Sequence, residues 1–153
     1  KYGLKVKALM SLGHPAESEE TILATRDWLL EERPDDFDCT VITTYPGTPY
    51  YDLAVPHGGD GAYCYSFAGD RLYSQDVDFN QEAQYYKGQP GSYRSFVWTD
   101  FITAERLVEL RDAVEEEVRK KLGIPFYQTA AAINYEHAMG QGPIPSNILR
   151  RSD

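Results

Sequence analysis

The fold of this chain is decided by the stretch LKVKALMSLGHPAESEE, residues 4–20. It opens on an apolar run that alternates at first and becomes continuously apolar towards Leu12, a pattern typical of a buried parallel strand. Gly13 breaks the run. Ser18 is a good N-cap, and the two glutamates after it suit the positive start of a helix. The stretch therefore predicts a strand, a tight loop and a helix, in that order.

The predicted helix runs to about Arg33, where a proline and two aspartates supply a stop. One stripe of this helix has helical spacing: Ile22, Leu23, Arg26, Leu29 and Leu30. The next run, residues 38–44, is short and rich in β-branched residues, which indicates a second strand. Strand, helix and strand make one βαβ unit, and such units are almost always right-handed.

Each predicted strand ends in a glycine-bearing loop, the second of which is TYPGTP, residues 44–49. In parallel α/β proteins ligands gather at the carboxyl ends of the strands. Gly13 and Gly47 would let the backbone approach a ligand closely. The spacing is equally compatible with two tight turns that bind nothing, so residue types alone leave both interpretations open.

The chain resembles the distal part of radical S-adenosylmethionine (radical SAM) enzymes over three segments: GLKVKALMSLGHPAESEETILAT, ITTYPGTPYYDLA and YRSFVWTDFITAERLVELRDAV. In that family the fifth strand of a partial TIM-like (β/α) barrel ends in a Gly-x-Pro-Gly-Glu-Thr-like turn, and the sixth in a Tyr-Pro-Gly-Thr-Pro-like turn. Here Ala16 replaces the second glycine of the first motif, while residues 45–49 match the second motif fully. The group most similar often carries a cobalamin-binding domain ahead of the radical domain and includes anaerobic cyclases and methyltransferases.

The resemblance implies that the ends of these two strands cradle the adenine and ribose of S-adenosylmethionine (SAM). Carried over to this sequence, the cofactor-binding residues are Leu9, Ser11, Gly13, Thr43, Thr44, Tyr45, Pro46 and Gly47. The implied reaction of the parent enzyme is reductive cleavage of SAM to a 5′-deoxyadenosyl radical, which takes a hydrogen atom from substrate. No catalytic side chain and no metal ligand is assigned to this chain.

The cysteine content limits what the chain can do alone. Family members hold a [4Fe–4S] cluster through a Cys-x-x-x-Cys-x-x-Cys loop, and Cys39 and Cys64 cannot supply three thiolates. Two reduced, buried thiols are the simplest interpretation, and a disulfide between them is left open. The chain also starts as if at the end of a helix, with no leader and no apolar run of transmembrane length. We therefore expect a carboxy-terminal fragment of a cytoplasmic enzyme that is not catalytic by itself.

The net charge of −9 disfavours a nucleic-acid partner, because phosphate binding draws on clustered Lys and Arg. The basic cluster 119–121 closes a predicted helix, where cations complement the helix dipole. The expected partners are a small-molecule substrate and the remainder of the same polypeptide. A sheet cut before its fifth strand would also expose an apolar edge, so self-association of the fragment is expected.

Beyond residue 52 the sequence changes character, and we divide the chain into a distal βαβ part, 1–52, and an α+β extension, 53–153. Tyr63, Tyr65 and Phe67 alternate with polar or small residues, which places them on one face of a strand. Gly69 and the next residue offer a turn, 71–77 a return strand, and 93–99 a third strand. The aromatic face either covers an open end of the barrel or forms a substrate wall for a flat ring.

Thr103 is the expected cap of a long helix that Gly123 ends. Its apolar stripe is predicted to pack in the core, with residues 115–117 mostly on the solvated face. The sequence also predicts a mobile loop at 80–92 and a second helix at about 126–139.

His14 and Glu17 could form a metal or acid–base pair, but Glu17 most simply favours the helix start. The competing hypothesis for the whole chain is a non-catalytic α/β binding or interaction domain.

Overall fold

The computed structural model of the protein describes residues 3–77, 91 and 93–126. The elements in chain order are β1 (Lys7–Leu12), α1 (Glu19–Glu32), β2 (Asp36–Val41), α2 (Pro49–Asp52), β3 (Val55–His57), β4 (Ala62–Phe67), β5 (Asp70–Gln75), β6 (Val97–Thr99) and α3 (Ala104–Leu122). Strands β1 and β2 pair in parallel, and β3 to β6 form an antiparallel sheet in sequence order. The predicted α/β class is confirmed.

The βαβ unit forms where the sequence predicts it. Ser18 caps α1, and its hydroxyl accepts the N–H of Thr21 while the Thr21 hydroxyl accepts the N–H of Ser18, which makes a capping box. Arg33 ends the helix in a left-handed conformation. The second strand lies two to three residues earlier than predicted and stops at Val41, so that residues 42–48 are free to form a loop.

The prediction that β1 is buried is wrong for this chain. Its residues alternate between half-buried and exposed, and only Leu12 is buried. Leu4 and Leu9 are 83% and 76% exposed. The reason is that β1, among the described residues, pairs with β2 alone. One face of the pair packs on the helices, and the other face and the outer edge of β1 are left uncovered by the described part of the chain.

The aromatic hairpin is confirmed, with its turn one residue earlier than predicted. Ala68 and Gly69 both have positive φ, 52° and 98°, as a two-residue hairpin turn requires. Tyr65 pairs with Leu72 across the hairpin and packs against the hydrophobic core. Leu72 is fully buried. Tyr65 therefore faces the core, whereas Phe67 at the end of β4 is 64% exposed.

Helix α3 begins after Thr103, whose hydroxyl accepts the N–H of Arg106, and ends at Gly123, as predicted. The apolar stripe is buried as expected: Leu107, Leu110, Val114 and Val118. The prediction that residue 115 is solvated is wrong, because Glu115 is only 4% exposed. Arg119 is equally buried, so it is not merely a cation at a helix end.

Buried polar side chains form hydrogen bonds with the backbone groups of β2 on the edge that does not face β1. Four side chains make the contacts, which are Cys39 N to Glu115 Oε1 (3.0 Å), Arg111 Nε to Cys39 O (2.8 Å), Arg119 Nη2 to Phe37 O (2.6 Å) and Val41 N to Tyr93 Oη (2.9 Å). The Tyr93 hydroxyl also donates to the Val41 carbonyl, at 3.1 Å. Polar side chains thus occupy the positions where a further strand would bond, and the sheet ends at β2.

The main hydrophobic core contains residues from both parts of the chain, from Leu12 and Phe37 to Leu72, Val97 and Val118. The boundary at 52/53 stays a prediction. Of the predicted third strand at 93–99, only Val97–Thr99 is extended and paired. The predicted helix at about 126–139 and the predicted loop at 80–92 lie, apart from residues 126 and 91, outside the described residues.

Candidate functional site

The two glycine-bearing loops lie at the same edge of the molecule. Strands β1 and β2 run in parallel in a register that pairs Leu12 with Val41. The N–H of Ile42 donates to the carbonyl of Leu12 at 2.8 Å, so the two chains leave the ladder side by side. The predicted proximity of the two strand ends is therefore observed.

Glu17 organises the first loop. One carboxylate oxygen accepts the N–H of Gly13 at 3.0 Å, and the other accepts the hydroxyl of Thr21. The carbonyl of Glu17 accepts the Thr99 hydroxyl at 2.7 Å, which ties the loop to β6. Glu17 thus has a structural role in this loop.

Close packing around residue 13 explains why this residue is a glycine. Its φ is +87°, and a Cβ built there would lie 3.0 Å from Val97 Cγ2 and 3.2 Å from Val41 Cγ1. Gly13 is buried and its N–H is already bound to Glu17. This glycine serves the close approach of the loop to β6, and its amide is not free for a ligand.

The second loop is closed by its own side chains. The Thr48 hydroxyl donates to the carbonyl of Tyr45 at 2.7 Å, and the Gly47 N–H donates to Asp52 Oδ1 at 3.1 Å. Gly47 also has a φ of +87°, but nothing lies within 4 Å of its would-be Cβ. Space is therefore open above this glycine, in contrast to Gly13. The turn leads into α2, a short helix that the sequence analysis did not predict.

A chain of hydrogen bonds joins the end of β1 and the first loop to α2, which follows the second loop. Ser11 Oγ lies 2.8 Å from His14 Nε2, and His14 Nδ1 lies 3.1 Å from the hydroxyl of Tyr50 in α2. The Tyr50 ring then packs against Tyr65, with centroids 5.0 Å apart. Burial lowers the pKa of His14 from its ordinary value, and the charge of Glu17 opposes that shift only in part.

The uncovered face of the parallel pair lies beside these loops. It carries alternate residues of both strands, namely Lys7, Leu9, Ser11, Asp36, Asp38 and Thr40. At the far end Lys7 forms ion pairs with both aspartates, at 3.1 and 3.0 Å. At the loop end the face presents an exposed leucine and an exposed serine. An apolar surface and a hydroxyl are thus available to a ligand next to the strand ends.

The structure separates the eight predicted binding residues into three groups. Leu9 and Ser11 are exposed on the uncovered face, and Gly47 is exposed in the second loop. Thr43, Tyr45 and Pro46 are half-buried. Gly13 and Thr44 are buried.

The side chain of Tyr45 packs with Val77 and Phe96 in a small separate cluster. Sequence reasoning missed Tyr50 as the partner of His14. Nothing in the spacing could reveal it, because the contact depends on the unpredicted helix α2.

The cysteines do not form a metal centre. Cys39 and Cys64 are free and buried, and burial raises the pKa of the Cys39 thiol to about 12, so that it stays protonated. Within residues 3–77, 91 and 93–126, no three His, Cys, Asp or Glu side chains are grouped so that they could bind a metal ion. The residues present therefore do not fit an iron–sulfur cluster, for which this chain has too few thiolates.

Comparison with family models, with curated proteins and with solved structures finds no match for this chain. In the described part of the chain, no helix has both the length and the apolar character needed to cross a membrane. The site must therefore be interpreted from its own geometry.

Proposed function

We propose that this chain is the distal part of a radical SAM enzyme, in which β1 and β2 are the last two strands of a partial (β/α) barrel. The observation that supports this most is the asymmetry of the parallel pair. The outer edge of β2 is sealed by Glu115, Arg111, Arg119 and Tyr93, while β1 has no partner on its outer edge among the described residues. The last strand of a sheet needs side chains that bond the backbone groups on its outer edge, whereas an internal strand needs a neighbouring strand there.

The uncovered face supports a role in binding the nucleoside of SAM. Leu9 offers apolar surface and Ser11 a hydroxyl, and the open space above Gly47 lies in the adjoining strand-end loop. When SAM and a [4Fe–4S] cluster are bound, they supply the hydrogen-abstraction chemistry. This chain binds and orients the nucleoside. The cluster ligands belong to another part of the natural polypeptide, because this chain lacks them.

The substrate we propose is a small molecule. The net charge of −9 is unfavourable for binding a polyphosphate. The parent enzyme is then a cytoplasmic oxidoreductase or methyltransferase of the cobalamin-associated group, with a cobalamin domain upstream of the radical domain. Tyr65 of β4 packs against the core, which favours the hairpin as a cover for the barrel end over its use as a substrate wall.

The proposal is tested on the natural polypeptide that carries this sequence. We expect a Cys-x-x-x-Cys-x-x-Cys loop roughly 130–180 residues before residue 1, from typical βα repeat lengths. After anaerobic reconstitution the protein should show the [4Fe–4S] signal by electron paramagnetic resonance and should form 5′-deoxyadenosine from SAM. A variant with the three cysteines replaced by alanine is the negative control. No 5′-deoxyadenosine from a protein with an intact cluster would contradict the proposal.

A further pair of variants tests whether the uncovered face of this chain binds SAM. Leu9→Lys introduces a positive charge on the uncovered face and should weaken SAM binding about tenfold or more, because the bound ligand would cover the ammonium group and its cationic sulfonium would repel it. Leu53→Lys is the matched control, since Leu53 is 67% exposed and lies outside both strands. Equal SAM affinities of the two variants would remove the uncovered face from the binding site.

The alternative, an α/β interaction domain, rests on two exposed aromatic side chains. Phe67 is 64% and Phe101 62% exposed. Exposed aromatic side chains are enriched at protein interfaces. A natural polypeptide without the three-cysteine loop, together with loss of partner binding in Phe67→Ser, would favour this function over the enzyme.

A further inference from the structure

Ser11, His14 and Tyr50 form a hydrogen-bonded chain whose first member lies on the uncovered face. The two bonds, of 2.8 and 3.1 Å, use both nitrogens of one imidazole. The serine is exposed, whereas the histidine and the tyrosine are half-buried. The chain thus runs from a surface hydroxyl inward to the tyrosine that packs against Tyr65.

A neutral imidazole has one donor nitrogen and one acceptor nitrogen, so the chain has only two directions. In one direction the serine donates to Nε2 and keeps oxygen lone pairs for a ligand. In the other, Nε2–H donates to the serine oxygen and the serine hydrogen is available to a ligand. His14 favours the neutral form, because burial lowers its pKa. Burial likewise raises the pKa of Tyr50, which keeps the phenol protonated.

We propose that His14 and Tyr50 are positioning residues that hold the Ser11 hydroxyl ready to bind a sugar hydroxyl of the nucleoside. This inference rests on the proposed function, which places the nucleoside on the uncovered face. A ligand hydroxyl both donates and accepts, so it matches the serine in either direction of the chain. A carboxylate or an ammonium group would match only one direction.

The neighbouring residue fits the rest of such a ligand. Leu9 lies two residues before Ser11 on the same face, about 6.6 Å along the strand, and it is 76% exposed. An apolar surface at that distance from a fixed hydroxyl suits a ligand with a flat ring joined to a hydroxylated ring. Because the serine is held by its partners, less rotational freedom is lost when the ligand binds.

The test compares two probes on the natural polypeptide, adenosine and 2′,3′-dideoxyadenosine, by equilibrium binding. The wild-type protein should bind adenosine about three- to tenfold more tightly, the range expected for one hydrogen bond between neutral groups. Ser11→Ala should bind the two probes equally. His14→Ala and Tyr50→Phe should each reduce the preference, and His14→Gln should restore part of it, because an amide can bridge both hydroxyls.

The ratio of the affinities for adenosine and 2′,3′-dideoxyadenosine distinguishes a positioning role from a merely structural one. A distorted fold would weaken the binding of both probes alike and leave that ratio unchanged. Ser66→Ala, an exposed serine of β4, makes the same chemical change elsewhere and should keep the preference. A preference that persists in Ser11→Ala, or that is lost in Thr40→Ala instead, would overturn the inference while the proposed function stands. Failure of the wild-type protein to bind adenosine at all would instead count against the proposed function, and the inference would fall with it.

Discussion

Glu115 accepts a hydrogen bond from the backbone N–H of Cys39 at 3.0 Å, across 76 positions of sequence. A second oxygen of the same carboxylate accepts from Arg119 Nε at 2.6 Å. This buried glutamate therefore joins a helix to the edge of a strand and neutralises a buried arginine. The contact determines where the parallel sheet stops, and hence which of its edges is available to other parts of the polypeptide.

Removing that carboxylate should be strongly destabilising. In Glu115→Ala the Cys39 N–H loses its acceptor and the buried Arg119 loses its closest counter-ion, so that its charge is balanced less well by the half-buried Asp36, 3.2 Å from Nη1. The expected loss is about 3–5 kcal/mol in the free energy of unfolding, measured by urea denaturation at pH 7. Glu116→Ala changes an exposed neighbour and should cost no more than about 0.5 kcal/mol. Similar losses in the two variants would show that the buried network does not stabilise the fold.

The two loop glycines provide a matched pair for measuring steric crowding. Both have a φ of +87°, but only Gly13 has atoms close to its would-be Cβ, at 3.0 and 3.2 Å. Gly47→Ala should cost about 0.5–1 kcal/mol, which is the left-handed penalty less the entropy that alanine removes from the unfolded chain. Gly13→Ala should cost about 1–3 kcal/mol more, because Val97 and Val41 must move. Equal costs in thermal or urea unfolding would mean that the loop does not pack tightly on β6.

Replacing Ala16 by glycine should stabilise the fold. Its φ is 68°, a left-handed conformation that glycine adopts without steric penalty. Ala16→Gly should raise the free energy of unfolding by about 0.5–1 kcal/mol, after the entropic cost of a glycine is subtracted. The same change at Ala24, an exposed position inside α1, should lower it by about 1 kcal/mol. A loss of stability in both variants would contradict the left-handed conformation of residue 16.

The elements that sequence predicted well are those defined by local signals. Ser18 and Thr103 carry their caps in the chain itself, and Gly123 marks a helix end by its own backbone freedom. The parallel pairing of β1 and β2 followed from their order around a helix. Neighbours in sequence decide the helix ends, and the order of the elements decides the strand pairing, so no distant side-chain partner had to be known.

The features that sequence missed depend on contacts between distant residues. Glu115 lies outside the apolar stripe of α3, so the helical pattern predicts it on the solvated face, and its partner Cys39 gives no sign in the sequence of needing an acceptor. The bond between His14 and Tyr50 depends on the short helix α2. The predicted burial of β1 assumed a neighbouring strand that the described residues do not include. Tertiary partners override local patterns at these positions.

The thiol of Cys39 should be chemically inert in the native protein. Burial first, and the nearby charge of Glu115 second, raise its pKa to about 12, so almost no thiolate exists at pH 8. Iodoacetamide should therefore leave Cys39 unmodified in the folded chain and alkylate it fully in 6 M guanidinium, as followed by peptide mass spectrometry. Native-state labelling at the unfolded rate would place Cys39 outside the core.

The last prediction concerns the pH dependence that His14 gives to stability. Burial lowers its pKa below the ordinary value of 6.5, so below that pH the unfolded chain binds the proton more readily than the folded chain. The contribution of His14 therefore favours folding above pH 6.5 and is lost progressively as the pH falls below it. Carboxylates titrate in the same range, so the informative quantity is the difference between variants.

His14→Gln keeps a hydrogen-bonding side chain between Ser11 and Tyr50 but cannot titrate. Its free energy of unfolding should fall less than that of the wild-type protein between pH 7.5 and 5.5, measured by urea denaturation. Ser66→Ala, which changes an exposed side chain of β4, is the control for substitution itself and should keep the wild-type slope. A direct reading comes from the pH titration of the His14 imidazole by nuclear magnetic resonance. A midpoint at or above 6.5 would mean that water reaches the ring freely, and the hydrogen-bonded chain to Tyr50 would then not be maintained in solution.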